Sequence, residues 1–325
     1  MRLCSTRNFK GMSSASRIRS VFFGTPAIAV AALEALHETT QVVAVVCQPD
    51  RPAGRGLGLS QPAVKVAALR LGLPVHQPAK VRTGELERWL CQLAPDVAVV
   101  MAYGRILPEG VLAAPRLGCV NLHASLLPRY RGAAPINWAI AGGETETGIS
   151  LMQMDAGLDT GPVFATRKLT IGPDETAGEL AERLAALAAE VVREDLPRVA
   201  RGELTAAPQD GSQATHAPLI DKQHTRVDWA RSAREIVDLV RGMAPRPAAH
   251  TTVRGKHLKL TRARVSTQNA PGAPGTVELG IGRELLVATG SGSLEIVRAQ
   301  LEGKKELGAA DLLNGRALGP GDRLG

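Results

Sequence analysis

Apolar runs and amphipathic stretches alternate along the first two-thirds of this chain. The apolar runs predict strands at residues 21–23, 41–47, 96–101, 118–122 and 163–169. The amphipathic stretches predict helices at residues 26–37, 64–71, 85–93 and 177–200, with Thr25 as N-cap of the first. Strands that alternate with helices favour a parallel-rich, doubly wound α/β sheet. In such a sheet ligands bind outside the carboxyl ends of the strands.

The pattern changes after about residue 206. A polar stretch with Pro, Gln, Ser and Gly predicts a linker at residues 207–222, after an α/β domain at residues 21–206. A helix at residues 232–243 is followed by short strands at residues 251–254, 257–265, 276–279, 285–289 and 294–301. This order predicts a small β-barrel of the oligonucleotide-binding (OB) type at residues 223–325.

Composition adds limits on the class of protein. No apolar run approaches the roughly 20 residues that a membrane span requires. The four cysteines are scattered without a CxxC pair, so a disulfide framework or zinc knuckle is disfavoured and a reducing compartment is favoured. The net charge of +8 divides into +5 for residues 1–20, −3 for residues 21–222 and +6 for residues 223–325. A basic C-terminal domain suits a polyanionic partner, although a merely solvated cationic surface fits the charge equally well.

The first 20 residues form an Arg- and Ser-rich leader without acids, which we expect to be disordered. The leader lacks the apolar core of a secretory signal but shares its composition with organellar transit peptides. Met12 is an alternative start of the chain. We favour a bacterial cytoplasmic protein.

Asn121 and His123 are the chief candidates for chemistry. They stand two residues apart at the end of an apolar run, so a strand directs both side chains to one face. Asp159, in a Gly-bounded loop, adds a carboxylate. Each residue alone also fits a structural role, but together an amide, an imidazole and an acid suit acyl transfer to an amine. The turn at Gly24 lacks the G-x-G-x-x-G spacing, which argues against a nicotinamide oxidoreductase.

Two segments resemble the signatures of the folate-dependent formyltransferases, residues 121–132 (NLHASLLPRYRG) and residues 148–161 (GISLMQMDAGLDTG). The resemblance extends over residues 20–325 and implies a Rossmann-like catalytic domain that uses N10-formyltetrahydrofolate as formyl donor and needs no metal. It implies catalytic roles for Asn121, His123 and Asp159. The folate-binding residues that it implies are Ser125, Leu126, Leu127 and Pro128, with the turn of Ala102, Tyr103 and Gly104.

The formyl acceptor is suggested by other residues. The segment 49–56 (PDRPAGRG) resembles the acceptor-arm loop of the family members that act on methionyl-tRNA, and the basic C-terminal domain is also similar to theirs. The resemblance thus implies charged initiator tRNA as partner of a monomeric enzyme. The tRNA-binding residues that it implies are Arg51, Arg55, Lys65, Arg254, Lys256 and Lys259.

The sequence departs from the family pattern at two places. Leu57 and Gly58 stand where the family carries lysines, and Arg246 replaces an aromatic residue before Pro247. Two rival functions stay open on the sequence alone. One is a formyltransferase or formyl-folate hydrolase that acts on a small molecule, and the other is a non-catalytic RNA-binding protein with an enzyme fold.

Overall fold

The computed structural model describes residues 17–53 and 58–325, which form two compact units. The first unit contains the described residues up to Ala133, with Gly148–Leu169 and Glu182–His216. The second unit contains Ala134–Thr147, Thr170–Ala181 and Ala217–Gly325. Most of the predicted leader, including Met12, lies outside the described residues.

The elements are numbered along the described chain. The strands are β1 (Arg19–Gly24), β2 (Gln41–Val46), β3 (Arg51–Ala53), β4 (Gly58–Ser60), β5 (Val75–His76), β6 (Val97–Met101), β7 (Cys119–His123), β8 (Arg131–Gly132), β9 (Glu146–Gln153), β10 (Val163–Thr170), β11 (His216–Ala217), β12 (Ala249–Val253), β13 (Lys256–Ser266), β14 (Val277–Leu279), β15 (Leu285–Ala288), β16 (Ser293–Leu301) and β17 (Glu306–Gly308). The helices are α1 (Val30–Thr39), α2 (Ala63–Arg70), α3 (Glu85–Leu93), α4 (Glu109–Ala113), α5 (Pro135–Ala141), α6 (Ala177–Glu194), α7 (Leu196–Ala200), α8 (Ala233–Met243) and α9 (Ala309–Asn314).

The first unit is built on a sheet with the strand order β10-β9-β7-β6-β1-β2-β5. The strands from β7 to β5 run parallel, because helical crossovers connect them, and β9 runs antiparallel to β7. The predicted parallel-rich α/β sheet is confirmed. The strand β9 was not among the predicted strands, although its residues belong mostly to the second formyltransferase signature.

Two predictions about helices are wrong in detail. Thr25 does not cap a helix. Its hydroxyl donates to the Tyr103 carbonyl (3.1 Å), and the chain passes through a short 3-10 turn at Ala27–Ala29 before α1 begins. The helix predicted at residues 177–200 is divided into α6 and α7, because Pro197 has no N–H to continue the helical hydrogen bonds.

The second unit is built on an antiparallel sheet with the order β12-β13-β16-β15-β14, to which β17 adds beside β16. The sheet curls around a core that α8 also lines, which confirms the predicted small barrel-type domain. Leu324 pairs with Val253 of β12, and Arg323 pairs with Thr276 next to β14. The last residues thus connect the two edge strands of the curled sheet.

No helix in the described part of the chain is long and apolar enough to cross a membrane.

Candidate active site

Asn121 and His123 both lie on β7, the last parallel strand before the antiparallel β9. Their two-residue spacing places them on one face, as the sequence predicts. His123 is only 6% exposed, while Asn121 is half-buried. Their partners opposite on β9 are Met152 and Ser150. Pairing with β9 fixes the backbone under both side chains, and Asn121 also pairs with Val100 of β6.

Asp159 brings its carboxylate to both of these residues. Its Oδ1 accepts a long hydrogen bond from Asn121 Nδ2 (3.4 Å), and its Oδ2 lies 3.7 Å from His123 Nδ1. Its Oδ2 also accepts a hydrogen bond from the Gly132 N–H (2.9 Å). The structure therefore brings the amide, the imidazole and the acid together. Asp159 has φ of +54°, a left-handed conformation that few residues with a Cβ adopt.

The second ring nitrogen of His123 fixes the tautomer of the neutral ring. Nε2 lies 2.9 Å from the carbonyl oxygen of Tyr130, which can only accept a hydrogen bond, so Nε2 carries the hydrogen. Nδ1 of the neutral ring then holds a lone pair directed toward Asp159. The distance of 3.7 Å is too long for a direct hydrogen bond, so this nitrogen is available to accept a proton.

The residues after His123 form a tightly connected turn. The hydroxyl of Ser125 is buried and donates to the Arg129 carbonyl (2.6 Å). Ser150 Oγ donates to the Ser125 carbonyl (2.7 Å), and the Leu127 N–H donates to Ser150 Oγ (3.2 Å). Leu126, Leu127 and Pro128 are half-buried beside these bonds. This segment offers partly accessible apolar side chains on a fixed backbone.

The turn of Ala102, Tyr103 and Gly104 follows β6. Ala102 and Gly104 have positive φ values of 49° and 80°. The carbonyl of Tyr103 accepts hydrogen bonds from Thr25 and from Gln48 Nε2, while its ring packs edge-on against Phe23. Burial raises the pKa of Tyr103 to about 12, and its hydroxyl has no hydrogen-bond partner among the described residues.

Residues 207–217, which lie entirely within the predicted linker, contribute to the site, and no sequence pattern indicated this. Ala207 pairs with Val163 at the start of β10, and β11 pairs with β8 beside the site. The side chain of Gln209 donates to the carbonyls of Asp159 (2.9 Å) and Gly161 (2.7 Å). A polar stretch gives no signal for such contacts, because they depend on which loop it meets.

A two-stranded ribbon formed by β3 and β4 carries one of the tRNA-binding residues predicted in the first unit. Arg51 is exposed at the start of this ribbon, and Arg55 lies outside the described residues. Lys65, on α2, forms a salt bridge with Asp50 (2.6 Å). Hydrogen bonds from Gln77 and then from Lys65 lower the pKa of the Asp50 carboxyl.

In the second unit, Lys256 and Lys259 are exposed on β13, where Lys259 and His257 share the outward face. Arg254 forms a hairpin turn with Gly255 and is engaged within the unit, since its guanidinium donates to the Ala317 carbonyl (2.7 Å) and contacts Asp322 (3.2 Å). Arg246, where the sequence departs from the family, is exposed.

A groove of about 700 Å³ also opens on the second unit. Its walls carry two guanidinium groups, Arg226 and Arg323, together with Trp229. No sequence motif indicated this groove, because its two sides are about 100 residues apart in the chain.

Comparisons with known proteins identify the family of the chain. The family described as "Formyl transferase" matches residues 17–196, and "Formyl transferase, C-terminal domain" matches residues 219–317. The methionyl-tRNA formyltransferase of Sorangium cellulosum (strain So ce56) is 61% identical over 310 residues, which cover 95% of this chain and 100% of that protein. The methionyl-tRNA formyltransferase of Myxococcus xanthus (strain DK1622) is 51% identical, over 95% of this chain and 98% of that protein.

Solved structures share the fold at low sequence identity. HypX from Aquifex aeolicus in complex with tetrahydrofolic acid has a TM-score of 0.63 at 17% identity, over 94% of this chain and 49% of that one. The methionyl-tRNA formyltransferase from Clostridium thermocellum has a TM-score of 0.54 at 17% identity, over 78% of this chain and 95% of that one. The resemblance found in the sequence is confirmed, and the chain belongs to the formyl transferase family, among the methionyl-tRNA formyltransferases.

Proposed function

We propose that this protein transfers the formyl group of N10-formyltetrahydrofolate to the α-amine of methionine on charged initiator tRNA. The observation that carries the proposal is the convergence of Asn121, His123 and Asp159 in a chain that is 61% identical to a methionyl-tRNA formyltransferase over its full length. The product, formyl-methionyl-tRNA, serves translation initiation. We place the protein in the cytoplasm and expect it to act as a monomer.

In the proposed reaction, the amine nitrogen attacks the formyl carbon and a tetrahedral intermediate forms. Asn121 Nδ2 has one hydrogen directed toward Asp159 and a second that can donate to the developing oxyanion. His123 accepts a proton from the attacking amine at Nδ1 and later supplies it to N10 of the folate as the C–N bond breaks. Asp159 lies beside Nδ1 and stabilises the ring in the orientation that Tyr130 sets from the other side.

The folate is expected to bind along the residues that follow β7 and β6. The half-buried side chains of Leu126, Leu127 and Pro128 suit the apolar surface of a pterin ring, and Ser125 holds their backbone. The backbone turn of Ala102, Tyr103 and Gly104 adds polar groups for the edge of the ring. A folate complex of a protein with the same fold supports this choice only at the level of the fold.

The tRNA is expected to contact basic side chains of both units. Arg51 and Arg55 of the first unit and Lys256 and Lys259 of the second are assigned to phosphate groups. Lys65 and Arg254 are assigned supporting roles, because each is already engaged by a carboxylate of the protein.

The proposal is tested by a transfer assay with the purified full chain and N10-formyltetrahydrofolate. Charged initiator tRNA is compared with free methionine and with other small amines as acceptors. We expect formyl-methionyl-tRNA to form quickly, with transfer lost in His123→Ala. Preferred formylation of a small amine, or release of free formate without an acceptor, would instead favour the small-molecule rival. Tight tRNA binding without any formyl transfer would favour the second rival, a non-catalytic RNA-binding protein.

A further inference from the structure

Gln209 makes four side-chain hydrogen bonds beside the active site. Its Nε2 donates to the carbonyl oxygens of Asp159 (2.9 Å) and Gly161 (2.7 Å). Its Oε1 accepts from Nε (3.1 Å) and Nη2 (2.7 Å) of Arg131. Both amide hydrogens and both lone pairs of the oxygen are therefore used. The side chain connects the loop that carries Asp159 with the turn that follows His123.

The peptide group after Asp159 needs such support. Asp159 has φ of +54°, and a residue with a Cβ stays in this region only when its surroundings hold it there. Gln209 fixes the carbonyl of Asp159, and the Gly132 N–H fixes its carboxylate (2.9 Å). Since Arg131 precedes Gly132, the contact of Gln209 with Arg131 also stabilises the hydrogen bond from the Gly132 N–H to the Asp159 carboxylate.

The same segment holds the partner of His123. The Tyr130 N–H donates to Thr215 Oγ1 (2.8 Å) and the Arg131 N–H to the Thr215 carbonyl (2.9 Å). Tyr130 has φ of +58°, and its carbonyl accepts from His123 Nε2. Gln209 and Thr215 thus position the groups on both sides of the imidazole, the carbonyl at Nε2 and the carboxylate at Nδ1.

We propose that Gln209 is a positioning residue for formyl transfer, which acts by holding Asp159 in the orientation that faces His123 and Asn121. The inference rests on the function proposed above. Gln209 itself is not expected to touch either substrate. Its loss should lower kcat about 10- to 100-fold, because small displacements of catalytic groups cost rates of this size. The KM values for tRNA and folate should stay within about twofold, since phosphate and pterin contacts are unchanged.

The first test compares Gln209→Met with Gln213→Met in the full chain. Both variants remove an amide from the same segment. Among the described residues, however, the exposed side chain of Gln213 forms a hydrogen bond only with Asp210 (2.8 Å). We expect a lower kcat in Gln209→Met alone, with thermal melts showing both variants folded at the assay temperature. Equal kcat values in the wild type and Gln209→Met would overturn the inference.

The second test asks whether Gln209 acts through Asp159. We expect Gln209→Met to lower kcat no further in an Asp159→Asn background, since the carboxylate that it positions is already absent. An equal loss in both backgrounds would overturn the inference. Gln209→Glu keeps the acceptors for Arg131 but loses both donors, so we expect it to be as slow as Gln209→Met. A wild-type rate in Gln209→Glu would assign the effect to Arg131 instead and contradict the proposal.

Different results would refute the proposed function and the proposed role of Gln209. A wild-type chain that transfers no formyl group to charged tRNA would refute the proposed function, and with it the role of Gln209. An active wild type whose activity depends on His123 but not on Gln209 would refute only the positioning role.

Discussion

At the scale of single residues, the two N–H groups of the Asn121 amide have different roles. One of its two N–H groups faces Asp159 over 3.4 Å, a long and weak bond that orients the amide without fully occupying it. The other N–H makes no hydrogen bond to the residues that the structure describes, and it can donate to an oxygen that gains negative charge during the reaction. Donors directed at a developing oxyanion act mainly on the transition state, so their loss reduces kcat more than substrate binding.

Removal of this donor gives the first prediction. We expect Asn121→Ala to lower kcat by about 10²–10³-fold, with little change in either KM. Steady-state kinetics with charged tRNA, together with a thermal melt, measure both effects. Wild-type turnover in a folded Asn121→Ala protein would show that the amide is not the oxyanion donor.

Asp159 must adopt a left-handed backbone conformation as well as supply a negative charge. Asn adopts the left-handed region more readily than Ala, because its short polar side chain forms local hydrogen bonds. We therefore expect Asp159→Asn and Asp159→Ala to lose most turnover alike. Asp159→Ala should in addition be less stable by about 1 kcal/mol. Chemical denaturation of the two variants separates the effects, and a fully active Asp159→Asn would contradict the need for a carboxylate.

At the scale of elements, the β3–β4 ribbon is held at its base. Asp50 directly precedes β3, and its carboxylate binds Lys65 on α2, which follows β4 (2.6 Å). Gln77 donates to the other oxygen of Asp50 and to the Gln48 carbonyl (both 2.8 Å). The ion pair between Asp50 and Lys65 joins the two ends of the segment that carries Arg51 and Arg55. Lys65 is therefore expected to support RNA binding through the ribbon rather than by its own phosphate contact.

This ion pair gives a prediction in the form of a double-mutant cycle. We expect Asp50→Asn and Lys65→Gln each to weaken binding of charged tRNA by a similar factor, and the double variant to bind no worse than either. Titrations at several salt concentrations measure the affinity. If Lys65 instead contacts phosphate directly, Lys65→Gln alone lowers the salt dependence of binding, and Asp50→Asn has no such effect.

At the scale of the whole molecule, positive charge is concentrated in the C-terminal third. Residues 223–325 carry a net charge of +6, whereas residues 21–222 carry −3. Residues 134–147 and 170–181 cluster in the same unit as the C-terminal third, and α5 packs against α8 there. Deleting residues 223–325 would remove the partner of α5, so substitutions in the full chain are the better test of its role.

The prediction at this scale concerns salt. Lys256→Gln with Lys259→Gln should weaken tRNA binding and reduce the slope of log affinity against log salt by about 1 for each lost phosphate contact. The kcat at saturating tRNA should not change. Asn121→Ala serves as the control, since it should change kcat without changing the slope. An unchanged slope in the lysine variant would contradict the assignment of these lysines to phosphate.

The sequence was sufficient for features that depend on local pattern. The alternation of apolar and amphipathic stretches predicted the α/β sheet, because strands and helices bury their faces with different periods. The two-residue spacing of Asn121 and His123 placed them on one face of β7 for the same reason. The Gly-bounded loop and the second formyltransferase signature both indicated Asp159, whose position in space no periodicity could supply.

Other features depend on which distant segments meet. Gln209 lies in a polar stretch without periodicity, and only the folded chain brings its amide to the carbonyl of Asp159. The sequence shows no partner for Lys65, but in the folded chain this lysine binds Asp50, 15 residues away. Hydrogen bonds and ion pairs of this kind are set by three-dimensional distance, which a one-dimensional pattern does not encode. The sequence by itself thus determined the class of fold and the candidate catalytic residues, and the tertiary structure decided which side chains hold those candidates in place.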